Sequence, residues 1–284
     1  MSKIKVFVIY HQADHLIKSD IFQPILTGAY AKECPSGMIG DHTGDNISNR
    51  NANYGELTAH YWVMKNYLPQ CEEEYIGFCH YRRFLGWNIN HNIKKIPFIS
   101  IYKNKFEKLI KMYDSSKIYN IINQYDVILP HKASFTNTLM EQYSEYHVVN
   151  DMNNAIHILE RLYPEYYPYV FNVMNRTCGY FCLNFTMRKN ILLDFLEWSQ
   201  SILHEIYKIS DFSKYDTYAT IRTPAYIIER LFNVWLEYQI VEKGINVMEV
   251  DSYLIKYKKN KIKEFITKYI SNIFNQILYK HTND

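Results

Sequence analysis

The feature that most constrains the fold is a set of short apolar runs, each of which ends in polar residues. The first run covers residues 3–10 and is followed by His11. The second covers residues 75–79 and leads into His80, and the third covers residues 126–129. Continuous apolar runs of this length are typical of strands that are buried on both faces of a parallel sheet. Because amphipathic segments separate them, we predict an α/β fold with a mostly parallel sheet flanked by helices.

The remaining segments show helical periodicity, loop composition or strand pattern. Residues 35–53 are dense in Gly, Asn and Asp, which predicts a loop. Apolar spacing predicts helices over residues 54–67, 104–124, 141–163, 189–207 and 224–239. A further strand is predicted over residues 179–186.

The composition excludes several classes of protein. A hydrophobic fraction of 48% with 21% charged residues is that of a globular protein rather than a disordered one. The five cysteines include no CxxC pair and fit neither a disulfide framework nor a structural zinc site, which predicts a reducing, cytoplasmic location. No apolar run approaches the roughly 20 residues of a membrane span, and the amino terminus lacks the apolar core of a signal peptide.

Residues 251–284 differ from the rest of the chain in charge. They contain seven lysines and three acidic residues, a net charge of +4 that leaves −1 for residues 1–250. Apolar residues recur at helical spacing from Ile262 to Leu278. We therefore predict a main domain over residues 1–250 and a basic amphipathic helical tail over residues 251–284.

Two roles are open for this predicted tail. Its apolar stripe can dock on the protein's own body or on a second copy in a homodimer. Alternatively, residues 256–280 can lie on an anionic membrane surface. Binding to nucleic acid is disfavoured, because the tail contains no arginine and the main body is not basic.

The motif formed by His80, Tyr81, Arg82 and Arg83 is the most informative about chemistry. Two adjacent arginines at the end of a buried strand cannot both be core residues, because an unpaired buried charge is strongly unfavourable. Guanidinium groups form paired, charge-assisted hydrogen bonds with phosphate oxygens, so a diphosphate is a natural ligand. The alternative is a pair of arginines that bridge to acidic residues of a neighbouring helix.

The loop that precedes the first predicted helix offers a second set of candidates. Asp45 and Asn46 can bind the hydroxyl groups of a ribose or another sugar, and Glu56 can face inward if it has a partner. The alternative is turn and helix-capping chemistry, in which Asn and Asp are common. The chain contains no DxD, HExxH, P-loop or GxGxxG motif.

Two predicted helices carry the remaining candidates. Tyr143 and His147 are four residues apart and share a helix face, where they either bind an acceptor or serve the structure. Glu229 and Arg230 lie within an otherwise apolar helix. Glu229 is a candidate general base, and a structural ion pair is the alternative.

Taken together, these segments resemble a bacterial glycosyltransferase family, once described only as a domain of unknown function, of capsule, exopolysaccharide and O-antigen synthesis. The resemblance rests on residues 41–48, 56–66, 77–84, 126–130, 141–147, 164–165 and 225–231. It covers about residues 3–240 in order, and the Gly-Phe-Cys-His-Tyr-Arg-Arg run is its most specific part. The chain departs from the family at Gln12, where a lysine is usual.

The resemblance implies a GT-A-like fold and transfer of a sugar, galactose or galactofuranose among the candidates. The implied donor is a nucleotide-diphosphate sugar, with a UDP-sugar favoured, and the implied acceptor is a lipid-linked glycan of a bacterial surface polysaccharide. In this interpretation Arg82 and Arg83 take the place of a metal ion at the diphosphate. No metal cofactor is therefore predicted, and a requirement for a divalent cation is the open alternative. The enzyme would work in the cytoplasm, on the inner face of the plasma membrane. The alternative is a non-catalytic module that binds sugar nucleotides or glycan within an assembly complex.

The motifs and the resemblance together assign three roles. Donor binding is assigned to His11, Asp45, Asn46, Glu56, His80, Tyr81, Arg82 and Arg83. Acceptor binding is assigned to Gln142, Tyr143 and Arg222. Catalysis is assigned to Glu229, as the base, and to His147.

Overall fold

The computed structural model describes residues 3–12, 16–87, 95–215 and 217–256. The strands are β1 (Ile4–Tyr10), β2 (Phe22–Leu26), β3 (Ile39–Gly40), β4 (Tyr75–His80), β5 (Arg83–Leu85), β6 (Ile99–Tyr102), β7 (Val127–Pro130), β8 (Ala133–Ser134), β9 (Cys178–Gly179), β10 (Phe185–Arg188), β11 (Val247–Val250) and β12 (Ser252–Lys256). The α-helices are α1 (Asn51–Tyr54), α2 (Leu57–Trp62), α3 (Lys103–Ile110), α4 (Ser115–Ile122), α5 (Leu139–Ser144), α6 (Val149–Leu162), α7 (Tyr167–Met174), α8 (Lys189–Ile209), α9 (Tyr218–Ile221) and α10 (Thr223–Lys243). A π-helical turn (Val63–Tyr67) continues α2.

The central sheet has the strand order β11-β7-β10-β4-β1-β2-β3. Neighbours along this path are parallel except where β10 pairs with β4 and with β7. At one side, β12 pairs with β5 and β6, and β5 pairs with β4. The predicted α/β fold with a mostly parallel sheet is confirmed.

The position of β1 inside the sheet, between β4 and β2, explains why its sequence is apolar without alternation. Phe7 and Ile9 point into one hydrophobic core, together with residues of α2, α8 and α10. Val6 and Val8 point into a second core on the other face, together with residues of α3 and α4. Both faces of the sheet are therefore covered by helices, as a parallel sheet requires.

The parallel strands β1, β2 and β4 end at the same edge of the sheet, at Tyr10, Leu26 and His80. The antiparallel strand β10 begins at this edge, because its first residue, Phe185, pairs with Phe78 of β4. Residues that follow the three parallel strands and residues that precede β10 are therefore brought together. Open α/β sheets bind their ligands at this edge.

Three of the predicted helices are interrupted. The helix predicted over residues 54–67 breaks at Gly55, whose φ of 55° favours glycine. The helix predicted over residues 104–124 consists of α3 and α4, because Asp114 caps the start of α4. The third, predicted over residues 141–163, consists of α5 and α6.

The prediction of a strand over residues 179–186 is wrong in its middle part. Only β9 and the start of β10 are extended there. Cys182 and Leu183 have φ values of 66° and 39°, in the left-handed region that no strand residue adopts. These two residues instead form a bend at the edge of the sheet.

The main domain extends past the predicted boundary at residue 250. Ser252–Lys256 was predicted to belong to the helical tail, but it forms β12, because its buried residues complete the sheet between β5 and β6. The rest of the predicted tail lies outside the described residues. Within the described part of the chain, no helix is both long and apolar enough to cross a membrane.

Candidate functional site

A cavity of about 290 Å³ opens at the edge where β1, β2 and β4 end. Eight of the predicted site residues line it, namely His11, Glu56, His80, Tyr81, Arg82, Arg83, Arg222 and Glu229. Their sequence positions span more than two hundred residues, so the fold alone brings them together. Two acids and three arginines thus share one small space.

Two wider clefts, of about 1220 and 890 Å³, lie near the beginnings of β1 and β4. Two of their cations already have acidic partners, since Lys3 pairs with Glu74 at 2.8 Å and Arg188 with Asp126 at 3.0 Å. Neither cleft contains one of the predicted site residues. The smaller cavity is therefore the candidate site.

Arg82 and Arg83 reach the cavity from the turn that follows β4. Arg82 is exposed beside the Tyr81 ring, and Arg83 begins β5 and is partly buried. Within the described ranges, neither guanidinium forms an ion pair with a carboxylate. The alternative, in which these arginines bridge to acidic residues of a neighbouring helix, is not observed there.

The first turns of α10 form one wall of the cavity. Arg222, Ala225, Tyr226 and Glu229 all line it, and their spacing of three or four residues places them on one face of the helix. At Gly55, a Cβ atom would lie 3.2 Å from Nη1 of Arg222. The absence of a side chain at Gly55 thus leaves room for the Arg222 guanidinium beside Glu56.

His80 links β4 to the bend before β10. Its Nε2 lies 2.8 Å from the carbonyl oxygen of Cys182. Burial, together with the charge of Arg83, lowers the pKa of His80 to about 4. The imidazole is therefore neutral at pH 7 and acts as a hydrogen-bond donor to that carbonyl.

His11 lies on the exposed side of the cavity, after β1. Partial burial and the nearby charge of Lys32 lower the pKa of His11. Lys32 is held there because its Nζ donates to the carbonyl oxygens of His11 and Thr27. The cation of Lys32 thus adds to the positive charge on this side.

The two acids in the cavity have different surroundings. Burial raises the pKa of Glu229, an effect that Arg230 opposes, and the Glu229 side chain is 12% exposed. Burial also raises the pKa of Glu56, while its own N–H, Arg222 and Arg83 act in the opposite direction. Both groups are carboxyls of raised pKa in a cleft, a property that is common among catalytic acids and bases.

Asp45 and Asn46, predicted to bind the donor, do not line the cavity. Asp45 accepts a hydrogen bond from the hydroxyl of Tyr61, at 2.9 Å. The amide of Asn46 donates to the carbonyl oxygens of His42 and Gly44. The bonds of Asn46 are those of the turn chemistry given as the alternative, and Asp45 bonds to α2; donor binding by either residue stays a prediction.

Three residues predicted for acceptor binding or catalysis lie behind the wall of the cavity. Tyr143 is fully buried. Gln142 accepts a hydrogen bond from Arg230 at 2.5 Å, and His147 stacks on Tyr226 with ring centroids 4.2 Å apart. These side chains are not among those that line the cavity, but His147 contacts the lining residue Tyr226, and Gln142 reaches the lining residue Glu229 through Arg230.

Sequence reasoning missed five lining residues, namely Ile9, Thr27, Cys182, Ala225 and Tyr226. The helical spacing from Arg222 to Glu229 was a signal for Ala225 and Tyr226. No signal pointed to Cys182, because its place depends on a bend that the sequence pattern does not predict.

Asp41 organises the loop that leads to Glu56. Its fully buried carboxylate accepts hydrogen bonds from the N–H groups of Gly28 and Ala29, at 3.0 and 2.9 Å. It also accepts from the hydroxyls of Ser48, at 2.5 Å, and Thr58, at 2.6 Å. These four bonds tie the loop after β2 to α2, which Glu56 precedes.

Residues 5–240 match a protein family described as a domain of unknown function, DUF4422. The chain belongs to this family. The family match covers most of the cavity-lining segments, from β1 to α10. No curated protein matches the sequence.

A solved structure with a similar fold is that of WbbM, a bifunctional glycosyltransferase in its apo form. It shares 30% identity with this chain, at a TM-score of 0.81, over 89% of this chain and 45% of that chain. This chain therefore spans less than half of the length of that glycosyltransferase chain. The family likeness and the GT-A-like fold predicted from the sequence are confirmed.

The sequence contains no DxD motif, and no metal cofactor was predicted. In the part of the chain that the structure describes, no three His, Cys, Asp or Glu side chains are arranged to hold a metal ion. That a divalent cation is not needed stays a prediction.

Proposed function

We propose that this chain is a glycosyltransferase that moves a sugar from a nucleotide-diphosphate donor, a UDP-sugar, to a growing bacterial surface polysaccharide. The observation that carries the proposal is the meeting of Arg82, Arg83 and Arg222 in one cavity at the ligand-binding edge of the sheet. Diphosphate oxygens are the ligands that such a set of guanidinium groups binds best. Membership of the family and the likeness to a glycosyltransferase chain support the same activity.

The reaction breaks the bond between the sugar C1 and a diphosphate oxygen and forms a bond between C1 and an acceptor oxygen. The electron pair of the broken bond leaves with the diphosphate, where negative charge develops. Arg82 and Arg83 would stabilise this charge, and a well-placed donor of this kind contributes about 3–4 kcal/mol to catalysis. The acceptor hydroxyl gives up its proton to a carboxylate of the cavity.

The finer features of the proposal follow the family resemblance. The sugar is galactose or galactofuranose, the acceptor is a lipid-linked glycan, and the reaction runs in the cytoplasm at the inner face of the membrane. We propose that it needs no metal, because the arginines supply the positive charge. Loss of activity with a chelator and its return with manganese would contradict that part.

The proposal is tested by replacing Arg82 and Arg83 with alanine in the full-length protein. We expect UDP to raise the melting temperature of the wild type, since ligand at 100 times its Kd stabilises by about 2.7 kcal/mol. Each replacement should weaken UDP binding and lower transfer at least 100-fold, at an unchanged melting temperature of the free protein. If the melting temperature of the free variants falls so far that unfolding accounts for the lost activity, the arginines are structural and the proposal is contradicted.

Arg161→Ala is the matched control for charge. Arg161 pairs with Glu205 on α8, outside the cavity, so its loss should leave UDP binding unchanged. Turnover also separates the enzyme from the alternative, a module that binds sugar nucleotides without transfer. Binding of UDP-sugars without transfer to any glycan primer would favour the module.

A further inference from the structure

We propose that Glu56, and not Glu229, takes the proton from the acceptor hydroxyl, and that Glu229 is a positioning residue. This assignment rests on the proposed function, since it names the base of that reaction. It follows from what already occupies the oxygen atoms of the two carboxylates.

Both oxygens of Glu229 are engaged by the protein. Oε1 lies 2.5 Å from Nη1 of Arg230, which is 3% exposed. Oε2 accepts a hydrogen bond of 2.7 Å from the backbone N–H of Cys182. Both oxygens are thus occupied by donors of the protein, so neither is free to take the acceptor proton, even though burial raises the pKa of this carboxyl.

Glu229 instead holds the bend at the edge of the sheet. The backbone of Cys182 is fixed at both of its polar groups, with its N–H on Glu229 and its carbonyl oxygen on His80. Cys182 and Leu183 adopt left-handed conformations, which residues with a Cβ rarely populate unless the surroundings hold them. Arg230 is fixed in turn by Gln142, so the whole support is rigid.

The carboxylate oxygens of Glu56 are not occupied in the way that those of Glu229 are. It lines the cavity, and no side chain or backbone group of another described residue donates a hydrogen bond to it. Arg83 and Arg222 are close enough to lower its pKa but form no ion pair with it. Glu56 is therefore available to an acceptor hydroxyl, next to the groups that would bind the diphosphate.

The proton balance of the step is simple. The acceptor oxygen bonds to the sugar C1 while its proton passes to a carboxylate oxygen of Glu56. The diphosphate leaves with the electron pair of the broken C1–O bond. The proton on Glu56 passes to solvent when the products leave, which restores the carboxylate.

This role predicts how transfer depends on pH. Burial raises the pKa of Glu56, so transfer should fall as the pH drops through that pKa and the carboxylate becomes protonated. The charged and titratable groups that share the cavity with it are His11, His80, Tyr81, Arg82, Arg83, Cys182, Arg222, Tyr226 and Glu229. His80 is already neutral at pH 7, since its pKa is lowered to about 4.

The experiment compares Glu56→Gln, Glu229→Gln and the wild type as full-length proteins, with UDP-sugar donors and a glycan primer. Glu56→Gln should lower kcat by 10²- to 10⁴-fold, the usual range for a general base, with donor KM changed less than about threefold. Its residual activity should have lost the acidic limb of the pH profile. Glu56→Asp should recover part of the rate.

Glu229→Gln is the comparison variant. Its amide oxygen still accepts from the Cys182 N–H, whereas its NH2 group faces the Arg230 guanidinium, so a lower melting temperature is expected. We expect a loss of kcat below about tenfold and an unchanged acidic limb. A larger loss in Glu229→Gln than in Glu56→Gln, or a wild-type acidic limb in Glu56→Gln, would overturn the assignment. Failure of the wild type to transfer sugar from any donor would instead overturn the proposed function and this assignment with it. UDP-dependent thermal shifts verify that each variant is folded.

Discussion

His60 is a fully buried histidine at the centre of the larger core. Its ring lies against Phe78, with ring centroids 4.0 Å apart, and neither ring nitrogen has a hydrogen-bond partner among the described residues. Burial, together with the charge of His80, lowers the pKa of His60 to about 3. This side chain is therefore packed as a neutral, apolar ring.

We predict that His60 makes the fold sensitive to acid. An unfolded histidine takes up a proton near pH 6.5, whereas folded His60 does so only near pH 3. Between these values the unfolded state binds more protons, so the free energy of unfolding falls with decreasing pH by up to about 1.4 kcal/mol per pH unit from this group. Urea unfolding at pH 7.5, 6, 5 and 4 measures the slope.

His60→Leu should reduce this slope by about 1.4 kcal/mol per pH unit between pH 6 and 4. At pH 7.5 the variant should be close to the wild type, because it removes no hydrogen bond and nearly conserves volume. His80, with a pKa lowered to about 4, should maintain part of the acid sensitivity. An unchanged slope in His60→Leu would show that His60 does not titrate as its burial implies.

At the scale of elements, the break between α1 and α2 positions two functional side chains at once. Gly55 has a φ of 55° and a ψ of −128°, a conformation that residues with a Cβ scarcely adopt. The break turns the chain so that Glu56 reaches the cavity, and the missing side chain makes room for Arg222. A continuous helix over residues 54–67 would do neither.

We predict that Gly55→Ala lowers both stability and donor binding. The backbone strain should cost about 1–3 kcal/mol, and the new Cβ, 3.2 Å from Nη1 of Arg222, should displace that guanidinium and weaken UDP binding about tenfold. Calorimetric titration with UDP and urea unfolding measure the two effects.

Gly244→Ala is the matched control for backbone strain. Gly244 ends α10 with a φ of 65°, and, among the described residues, no heavy atom beyond its chain neighbours lies within 4 Å of the position of its added Cβ. It should lose stability without any change in UDP affinity. If both variants bind UDP as the wild type does, the contact between Gly55 and Arg222 has no role in the site.

Strands β1, β4 and β7, the long helices α8 and α10, and the place of Arg82 and Arg83 after β4 could be predicted from the sequence, because local apolar patterns decide them. Strands such as β2, β6 and β12 were not predicted, because their pairing depends on distant parts of the chain. The bend at Cys182 could not be predicted either, because His80 and Glu229, 102 and 47 residues away, hold it. For the same reason, the roles of Tyr143 and His147 were assigned from helix spacing, which does not tell whether a helix face meets a cavity or a core. The predicted helix boundaries were wrong where a capping residue, Asp114, or a glycine, Gly55, interrupts a segment of helical periodicity.

At the scale of the whole molecule, the sheet needs residues beyond the family match, which ends at residue 240. Strand β11 pairs with β7, and β12 pairs with β5 and β6. Tyr253 and Ile255 of β12 are buried in the second core. The segment from residue 247 to residue 256 is therefore part of the folded domain.

We predict that a chain cut after residue 243 aggregates, because the edges of β5, β6 and β7 lose their partners and become free to pair with other chains. A chain cut after residue 256 should stay monodisperse and show the UDP-induced thermal shift of the full-length protein. Light scattering and thermal unfolding measure both.

The chain cut after residue 256 also tests the role of the predicted tail. If the lysines of residues 257–284 bring the protein to the membrane, the full chain should sediment with vesicles that contain anionic lipid, and the shortened chain should not. Equal sedimentation of the two chains would contradict a membrane role for the tail. If the full chain is a dimer in solution and the shortened chain is a monomer, the tail mediates a homodimer.

The register of β12 against β5 places Leu254 opposite Arg83. Strand β5, which begins with the cavity-lining Arg83, is thus held in place by the last described residues of the chain. Because the two strands share this pairing, we expect a displacement of β12 to move Arg83, which lines the cavity.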